Sequence, residues 1–133
     1  MIKDDLDNEC IFISRDHSQI AGVVSFDDKD FQEYEAIEWN DNEGRFAVIH
    51  RLAVRPAYQG LGVAKELIQF VHDSCRKQQY SSIRLDVHSD NKQAVQFYIN
   101  LGYEVRGEVW FTGGTQPYYC MEKRVSREQN EYK

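Results

Sequence analysis

The sequence predicts an α+β fold in which a mixed, mostly antiparallel sheet contains one central strand-helix-strand crossover. Apolar runs typical of strands come before any helical pattern, an amphipathic helix leads directly into an alternating strand, and a second helix is followed by two closing strands. Because only one parallel crossover is present, a doubly wound fold is not expected.

The order of elements follows from the spacing of the apolar residues. Short, partly β-branched runs indicate the strands, and a polar hairpin over residues 15–18 joins the first two. Residues 27–44 are acidic and mixed, which predicts a long connection. The predicted strands cover residues 10–14, 19–26, 46–54, 82–87, 103–111 and 118–125, and the predicted helices cover residues 61–78 and 91–101.

The third strand has the most continuous apolar run. Only His50 and Arg51 interrupt it, so a strand covered on both faces is expected, and Pro56 stops it. The fourth strand alternates apolar with polar residues, and we interpret its polar face as mainly structural, with a smaller chance of lining a substrate cleft. That polar face comprises Arg84, Asp86 and His88.

The two helices carry recognisable signals. Asp90 and Gln93 have the spacing of a capping pair for the second helix, and Gly102 is expected to end it. In the first helix the apolar residues recur every third or fourth position, which gathers them on one face. They are Ala64, Leu67, Ile68, Val71 and Cys75.

Composition excludes several protein classes. A chain of 133 residues with 41% apolar and 29% charged residues predicts one soluble domain over residues 1–133, with a core at about 10–125 and a frayed end at 126–133. No apolar run approaches the roughly 20 residues of a membrane helix. A net charge of -6 disfavours binding to nucleic acid.

Cysteine usage and the amino terminus point to a reducing compartment. The cysteines are odd in number and far apart, so neither a disulfide framework nor a metal site is expected, and each is interpreted as a reduced, packed thiol. The first nine residues are acidic and lack a secretory pattern, which predicts a cytoplasmic location. The cysteines are Cys10, Cys75 and Cys120.

The junction between the third strand and the first helix, residues 55–64, carries the strongest functional signal. Its glycines let backbone approach a ligand, and the first amides of the helix are free, which predicts an anion site assisted by Arg55 and Lys65. A purely structural turn is the alternative. The P-loop sequence is absent, and the third glycine of the dinucleotide fingerprint is missing, although Asp86 lies where a ribose-binding carboxylate would.

Two motifs together resemble the GNAT superfamily of N-acetyltransferases. The strand Val48–Val54, followed by Arg55-Pro56 and by Gln59-Gly60-Leu61-Gly62-Val63-Ala64, is similar to the acyl-CoA signature of that family, with alanine in the last position. The resemblance extends from about residue 10 to residue 125. The second motif comprises Asn91, Ala94, Phe97, Tyr98, Gly102 and Tyr103.

The resemblance implies an acetyl-CoA site. Amides of the 59–64 loop would hold the pyrophosphate, the main chain of residues 52–54 would pair with the pantetheine as an added strand, and one stripe of the second helix would line the ligand arm. Phe97 lies about 100° from that stripe and is expected in the core. The residues assigned to acetyl-CoA are Leu52, Ala53, Val54, Gln59, Gly60, Leu61, Gly62, Val63, Ala64, Asn91, Ala94 and Tyr98.

Tyr98 resembles the general acid of the family. A phenol of pKa about 10 keeps its proton at neutral pH and can protonate the departing thiolate. A base must also take a proton from the acceptor, since an alkyl ammonium has a pKa of about 10.4. His50 is the first candidate, with a satisfied core histidine as its alternative. The other candidates, which could equally be solvated loop charge, are Glu35, Glu38 and Glu43.

The predicted function is transfer of acetyl from acetyl-CoA to a primary amine by direct attack. A catalytically weak acyl-CoA-binding sensor is the alternative, and a homodimer is left open. Relatives usually carry a strand and one or two helices before the first strand predicted here, where nine residues precede it. The resemblance therefore implies an abbreviated acceptor half, completed by residues 27–44 or by a neighbouring chain, or a shortened form with reduced activity.

Overall fold

A single six-stranded sheet forms the centre of the molecule in the computed structural model, which describes residues 11–111 and 113–125. Two helices and two short 3-10 turns, Gln32–Ala36 and Pro56–Tyr58, complete the fold. The strands are β1 Ile11–Asp16, β2 Gln19–Asp27, β3 Phe46–Val54, β4 Ser82–His88, β5 Glu104–Val109 and β6 Tyr118–Arg124, and the helices are α1 Val63–Lys77 and α2 Lys92–Asn100.

The predicted α+β class and the order of elements are confirmed. The strands lie in the order β1-β2-β3-β4-β6-β5, and only the β3–β4 pair is parallel, with α1 as the crossover between them. Cys10, where the first strand was predicted to begin, and the predicted frayed end at residues 126–133 lie outside the described residues.

One face of the sheet is covered by α1 and α2. The apolar stripe of α1 buries Leu67, Ile68 and Val71 against inward side chains of β2, β3, β4 and β6. Close approach of helix to sheet needs glycine at Gly22, where a Cβ atom would lie 2.9 Å from the Ala53 carbonyl oxygen and 3.1 Å from Leu67 Cδ1. The helix stripe predicted from the sequence is therefore the one that faces the sheet.

The opposite face is covered by residues 28–44, which form more than a solvated connection. Tyr34 and Trp39 are buried there, and Trp39 Nε1 donates a hydrogen bond to the Tyr34 carbonyl oxygen at 3.0 Å. Glu122 of β6, only 2% exposed, accepts hydrogen bonds from the Asn40 and Asp41 amides at 2.7 and 3.0 Å. This acidic segment is therefore tied to the sheet by buried contacts.

The second cover explains why Arg84 does not face solvent. Its guanidinium lies 4.4 Å from the Trp39 ring centroid and 3.8 Å from that of Phe46, and it donates a hydrogen bond to the Asp41 carbonyl oxygen at 3.0 Å. The structural interpretation fits Arg84, which is 5% exposed. It does not fit Asp86 and His88, which line a cleft.

The helix boundaries correct two predictions. The first helix begins at Val63 rather than residue 61, because Gly62 adopts the left-handed conformation (φ +87°) and is the N-cap. The prediction that Asp90 and Gln93 cap α2 was wrong. Asn91 is the N-cap, and its Oδ1 accepts a hydrogen bond from the Ala94 amide at 3.1 Å. The prediction that Gly102 ends α2 fits its φ of +99°.

The prediction that β3 is covered on both faces is correct for its first half only. Ala47, Val48 and Ile49 are buried, whereas His50 and Arg51 are exposed. The second half of β3 instead contributes residues to the lining of a cleft.

Two of the three cysteines are described, and both are buried free thiols. Burial raises the pKa of Cys75 and of Cys120 to about 12, so neither is a ready nucleophile at neutral pH. In the described part of the chain, neither helix is long and apolar enough to cross a membrane.

His72 is the core histidine of the molecule, a role that the sequence analysis had left open only for His50. It is 5% exposed on α1, and its Nε2 lies 2.9 Å from the hydroxyl of Tyr103. Burial lowers the pKa of His72 to about 4. The imidazole is therefore neutral at physiological pH.

We expect His72 to make the free energy of unfolding depend on pH. Its pKa is about 6.5 in the unfolded chain and about 4 in the folded protein, so between these values only the unfolded state binds the proton. The free energy of unfolding therefore has its full value above about pH 6.5 and falls by about 2 to 3 kcal/mol as the pH drops to about 4. Denaturant unfolding of the wild type and His72→Gln at pH 7 and pH 4 should show a smaller loss in the variant. Equal losses would contradict this assignment.

Candidate active site

A cleft opens where β3 and β4 separate. The two strands are paired from Phe46↔Ser82 to Val48↔Arg84, after which β3 follows β2 as far as Gly22↔Val54 and β4 follows β6 as far as His88↔Tyr118. The space between the diverging strands has a volume of about 780 Å³ and is also lined by the start of α1 and one side of α2. A wedge-shaped groove of this kind suits a long, thin ligand.

The junction before α1 forms one wall of the cleft. Gly60 and Gly62 have φ of +82° and +87°, and a Cβ atom on either would meet nothing within 4 Å, so backbone conformation rather than space requires glycine. The first hydrogen bond of α1 runs from the Glu66 amide to the Gly62 carbonyl oxygen at 3.0 Å. Within the described chain, the amides of residues 63–65 therefore have no helical acceptor and are available to an anion.

The junction is held in place from three sides. The Arg55 amide donates to the Ala21 carbonyl oxygen at 2.9 Å, and the Tyr58 hydroxyl donates to Asp16 Oδ2, also at 2.9 Å. Gln59 turns back, and its Nε2 donates to the Val54 carbonyl oxygen at 3.2 Å. These contacts fix the approach of β3 to α1, so the free amides are preorganised.

The edge of β3 that faces the cleft is a second backbone site. Beyond Val48 this edge has no β4 partner in the register of the described strands. Its amides and carbonyls can pair with an extended ligand in the manner of an added strand. Leu52 and Val54 line the cleft, whereas Ala53, also assigned from the sequence, is not among the lining residues.

Among the other residues assigned to the site from the sequence, some line the cleft and others do not. Leu61 is 69% exposed and does not line the cleft. Phe97, expected in the core, is partly buried against it and also contributes to the cleft wall. The assigned residues that do line the cleft are His50, Leu52, Val54, Gln59, Gly60, Gly62, Val63, Ala64, Asn91, Ala94 and Tyr98.

Tyr98 contributes a buried phenol to the cleft. It is 8% exposed, and its ring contacts those of Phe97 and Tyr103 at centroid distances of 5.1 and 5.5 Å. Burial, assisted by the charge of Asp86, raises the pKa of Tyr98 to about 12. Among residues 11–111 and 113–125 its hydroxyl has no hydrogen-bond partner, so a protonated donor is available to a ligand.

His50 lies in the cleft rather than in the core. Its Nε2 is 2.6 Å from Asp27 Oδ1, and the Phe31 ring meets the imidazole edge-on at a centroid distance of 5.6 Å. Asp27 could not be predicted from the sequence as a partner of His50, because the two residues are 23 positions apart and no local motif links them. Only the pairing register of β2 and β3 brings them together.

Asp86 is a further acidic group in the cleft wall. It accepts a hydrogen bond of 2.5 Å from the Tyr34 hydroxyl. Burial raises the pKa of Asp86, although the Tyr34 hydrogen bond and the charge of His50 both act to lower it. The alternation of β4 was a signal for Asp86, but nothing in the sequence indicated that Tyr34 would cover it.

The glutamates named as alternative bases lie elsewhere. Glu35, Glu38 and Glu43 are exposed on the covering segment and do not line the cleft. Their interpretation as solvated charge is therefore the better one. In the part of the chain that the structure describes, no group of three or more His, Cys, Asp or Glu side chains is arranged to hold a metal ion.

Comparisons with known proteins agree with this geometry. The chain is 25% identical over 119 residues to the uncharacterized N-acetyltransferase YesJ of Bacillus subtilis, a match that covers 89% of this chain and 63% of that protein. It is 33% identical over 79 residues to a streptothricin acetyltransferase of Escherichia coli, covering 59% of this chain and 43% of that protein. The chain thus spans less than two thirds of the length of these curated relatives.

Solved structures share the fold. The ribosomal-protein-S18-alanine N-acetyltransferase of Escherichia coli matches with a TM-score of 0.70 at 18% identity, over 94% of this chain and 74% of that one. Arabidopsis thaliana Naa50, solved with the bisubstrate analogue CoA-Ac-MVNAL, matches with a TM-score of 0.67 at 22% identity, over 86% of this chain and 72% of that one.

The family model described as the acetyltransferase (GNAT) family matches residues 2–103, which includes the diverging strands, the glycine junction and the cleft-lining helix α2. With this match over most of its length, the chain belongs to the GNAT family of acetyltransferases.

Proposed function

We propose that the protein transfers the acetyl group of acetyl-CoA to a primary amine of a small molecule or peptide. The observation that carries this proposal is the cleft itself, which joins an anion site at the start of α1, an unpaired strand edge on β3 and a protonated phenol on α2. The relatives named above, whose names describe acetyl transfer, support the same reaction.

Acetyl-CoA is the proposed co-substrate. Amides of residues 63–65 and the glycine junction would bind its pyrophosphate, with Lys65 adding positive charge at the cleft wall. Its pantetheine arm would run along the free edge of β3 from Val54 toward His50, a distance of roughly 13 Å at the usual rise of a strand. Naa50, which shares this fold, was solved with a bisubstrate analogue that contains CoA, and that complex supports the binding of CoA by the present protein.

Tyr98 is the proposed general acid. As the amine nitrogen bonds to the thioester carbon, the carbon–sulfur bond breaks, and the Tyr98 hydroxyl donates its proton to the departing sulfur. The attacking amine nitrogen still carries one surplus proton after the amide bond has formed, and the phenolate regains its proton from that protonated nitrogen. Because the pKa of Tyr98 is raised to about 12, the phenol holds its proton until the thiolate appears.

A cytoplasmic enzyme with one domain over about residues 10–125 is also proposed. The free thiols of Cys75 and Cys120 suit a reducing compartment. The nature of the acceptor follows from the chemistry alone: it must present a primary amine that reaches the narrow end of the cleft.

An acceptor screen tests the proposed function. Purified protein is incubated with acetyl-CoA and a panel of amino acids, polyamines, amino sugars and peptides with free amino termini, and thiol release is followed. Release that depends on one class of amine is expected. Tight binding of acetyl-CoA with no release from any amine would instead favour the acyl-CoA sensor.

We expect Gly62→Glu to weaken acetyl-CoA binding at least tenfold, because the carboxylate adds negative charge at the anion site and the left-handed backbone is strained by a side chain. Gly113→Glu is the matched control, since Gly113 has a φ of +83°, equally open space and no part in the cleft. Titration calorimetry measures both affinities. Equal affinities in the two variants would remove the glycine junction from the cofactor site.

We expect Tyr98→Phe to lower kcat by roughly a hundredfold or more while leaving the affinity for acetyl-CoA nearly unchanged, because only proton donation is lost. Tyr103→Phe serves as the control: Tyr103 contacts Tyr98 from the core, donates no group to the cleft and should retain kcat. Initial rates of thiol release measure both. Full activity in Tyr98→Phe would reassign the acid.

A further inference from the structure

The position of His50 is set by an irregularity in the sheet. Ser25 pairs with Arg51 and Phe26 pairs with Ile49, so His50 is the extra residue of a bulge in β3. A bulge re-aims the side chain that it contains, and here it directs the imidazole toward Asp27 at the end of β2. Both side chains remain partly accessible, at 26% for His50 and 31% for Asp27.

The contact with Asp27 determines which imidazole nitrogen carries the proton. An ionised carboxylate can only accept hydrogen bonds, so the 2.6 Å contact requires a proton on Nε2 of His50. In the neutral ring Nδ1 is then the nitrogen with the free lone pair. Within the described residues Nδ1 has no hydrogen-bond partner, and His50 lines the cleft.

Neighbouring groups hold the pair in this arrangement. Asp27 Oδ1 also accepts a hydrogen bond of 2.9 Å from the Lys29 amide, which orients the carboxylate, while the Phe31 ring bounds the imidazole. From β4, Asp86 lies close enough for its charge to interact with His50, and Asp86 is itself held by Tyr34. The titratable groups near the imidazole therefore include Asp27, Asp86 and Tyr34, together with Glu33, whose charge acts on Asp86.

We propose that Asp27 is a positioning residue that holds His50 in the Nε2–H tautomer, so that Nδ1 accepts the proton that the acceptor ammonium must lose. This inference rests on the proposed function. The proton passes from the ammonium nitrogen to Nδ1, directly or through one water, and the nitrogen lone pair so released attacks the thioester carbon. The imidazolium, stabilised by Asp27, afterwards returns the proton to solvent.

The tautomer can be measured without any turnover. Long-range proton–nitrogen NMR spectra of the protein distinguish protonated from bare imidazole nitrogens, and the His50 signals are identified by their loss in His50→Gln. At a pH where the ring is neutral, we expect Nε2 protonated and Nδ1 bare in the wild type. We expect a mixture of tautomers in Asp27→Ala. A substantial Nδ1–H population in the wild type would overturn the proposal.

Kinetics test the positioning role. Asp27→Asn should lower kcat roughly tenfold to a hundredfold with little change in KM for acetyl-CoA, since a general base typically contributes about 10² to 10⁴. Asp27→Glu should recover part of the rate. Asp28→Asn, which removes only an exposed acid paired with Lys29, should behave as the wild type.

The two proposals fail separately. A wild type that transfers acetyl to no amine contradicts the proposed function, while the NMR spectra still decide whether Asp27 fixes the tautomer. An active wild type whose Asp27→Asn variant keeps its kcat contradicts the role of Asp27 and leaves the proposed function standing.

Discussion

The separation of β3 from β4 after three paired residues is the constraint on which the rest of the structure depends. Backbone groups that leave a sheet must find other partners, in water or in a ligand. Here the lost pairing exposes one edge of β3 and opens a space between two strands that remain firmly paired on their other sides. Two walls of the cleft are therefore strands that keep their pairing on the side away from it.

The segment at residues 28–44 stabilises the opposite face of the sheet, where it packs against the strands. Tyr34 and Trp39 fill the space beneath the sheet, and Glu122 accepts the amides of Asn40 and Asp41. Without that cover, Arg84 would lack the Trp39 ring that its guanidinium contacts, and Asp86 would lack its Tyr34 donor. A stretch that composition alone described as an acidic connection is thus part of the second core.

Local patterns were enough to predict the order of elements, the apolar stripe of α1 and the glycine junction. Each of these features depends on residues that are close together in the sequence, where hydrophobic periodicity and backbone preference determine the local structure. The prediction of the α2 cap was wrong even though it depends only on neighbouring residues. Asn91 and Asp90 are equally good caps by residue type, and only the backbone path of residues 88–91 selects Asn91.

The contacts within the site could not be read in the same way. His50 meets Asp27 across 23 positions and Tyr34 meets Asp86 across 52, so both depend on strand register and on how the covering segment crosses the sheet. A bulge of one residue decides the first contact. Tyr98 could be predicted because it belongs to a family motif, and His50 because the reaction needs a base. Their partners had neither kind of signal in the sequence.

The half-buried carboxylate of Asp86 interacts with both groups that are proposed to handle protons, His50 and Tyr98. The charge of Asp86 adds to the effect of burial in raising the pKa of Tyr98, so the phenol retains its proton. The same charge is attracted to a protonated His50, which is why His50 acts to lower the pKa of Asp86. The charge of Asp86 thus favours the protonated form of Tyr98, which suits the proposed acid, because that acid must keep its proton until the thiolate forms. Because His50 stands on the β3 wall and Tyr98 on the α2 wall, the divergence of the strands also keeps the proposed acid and the proposed base on opposite sides of the proposed ligand.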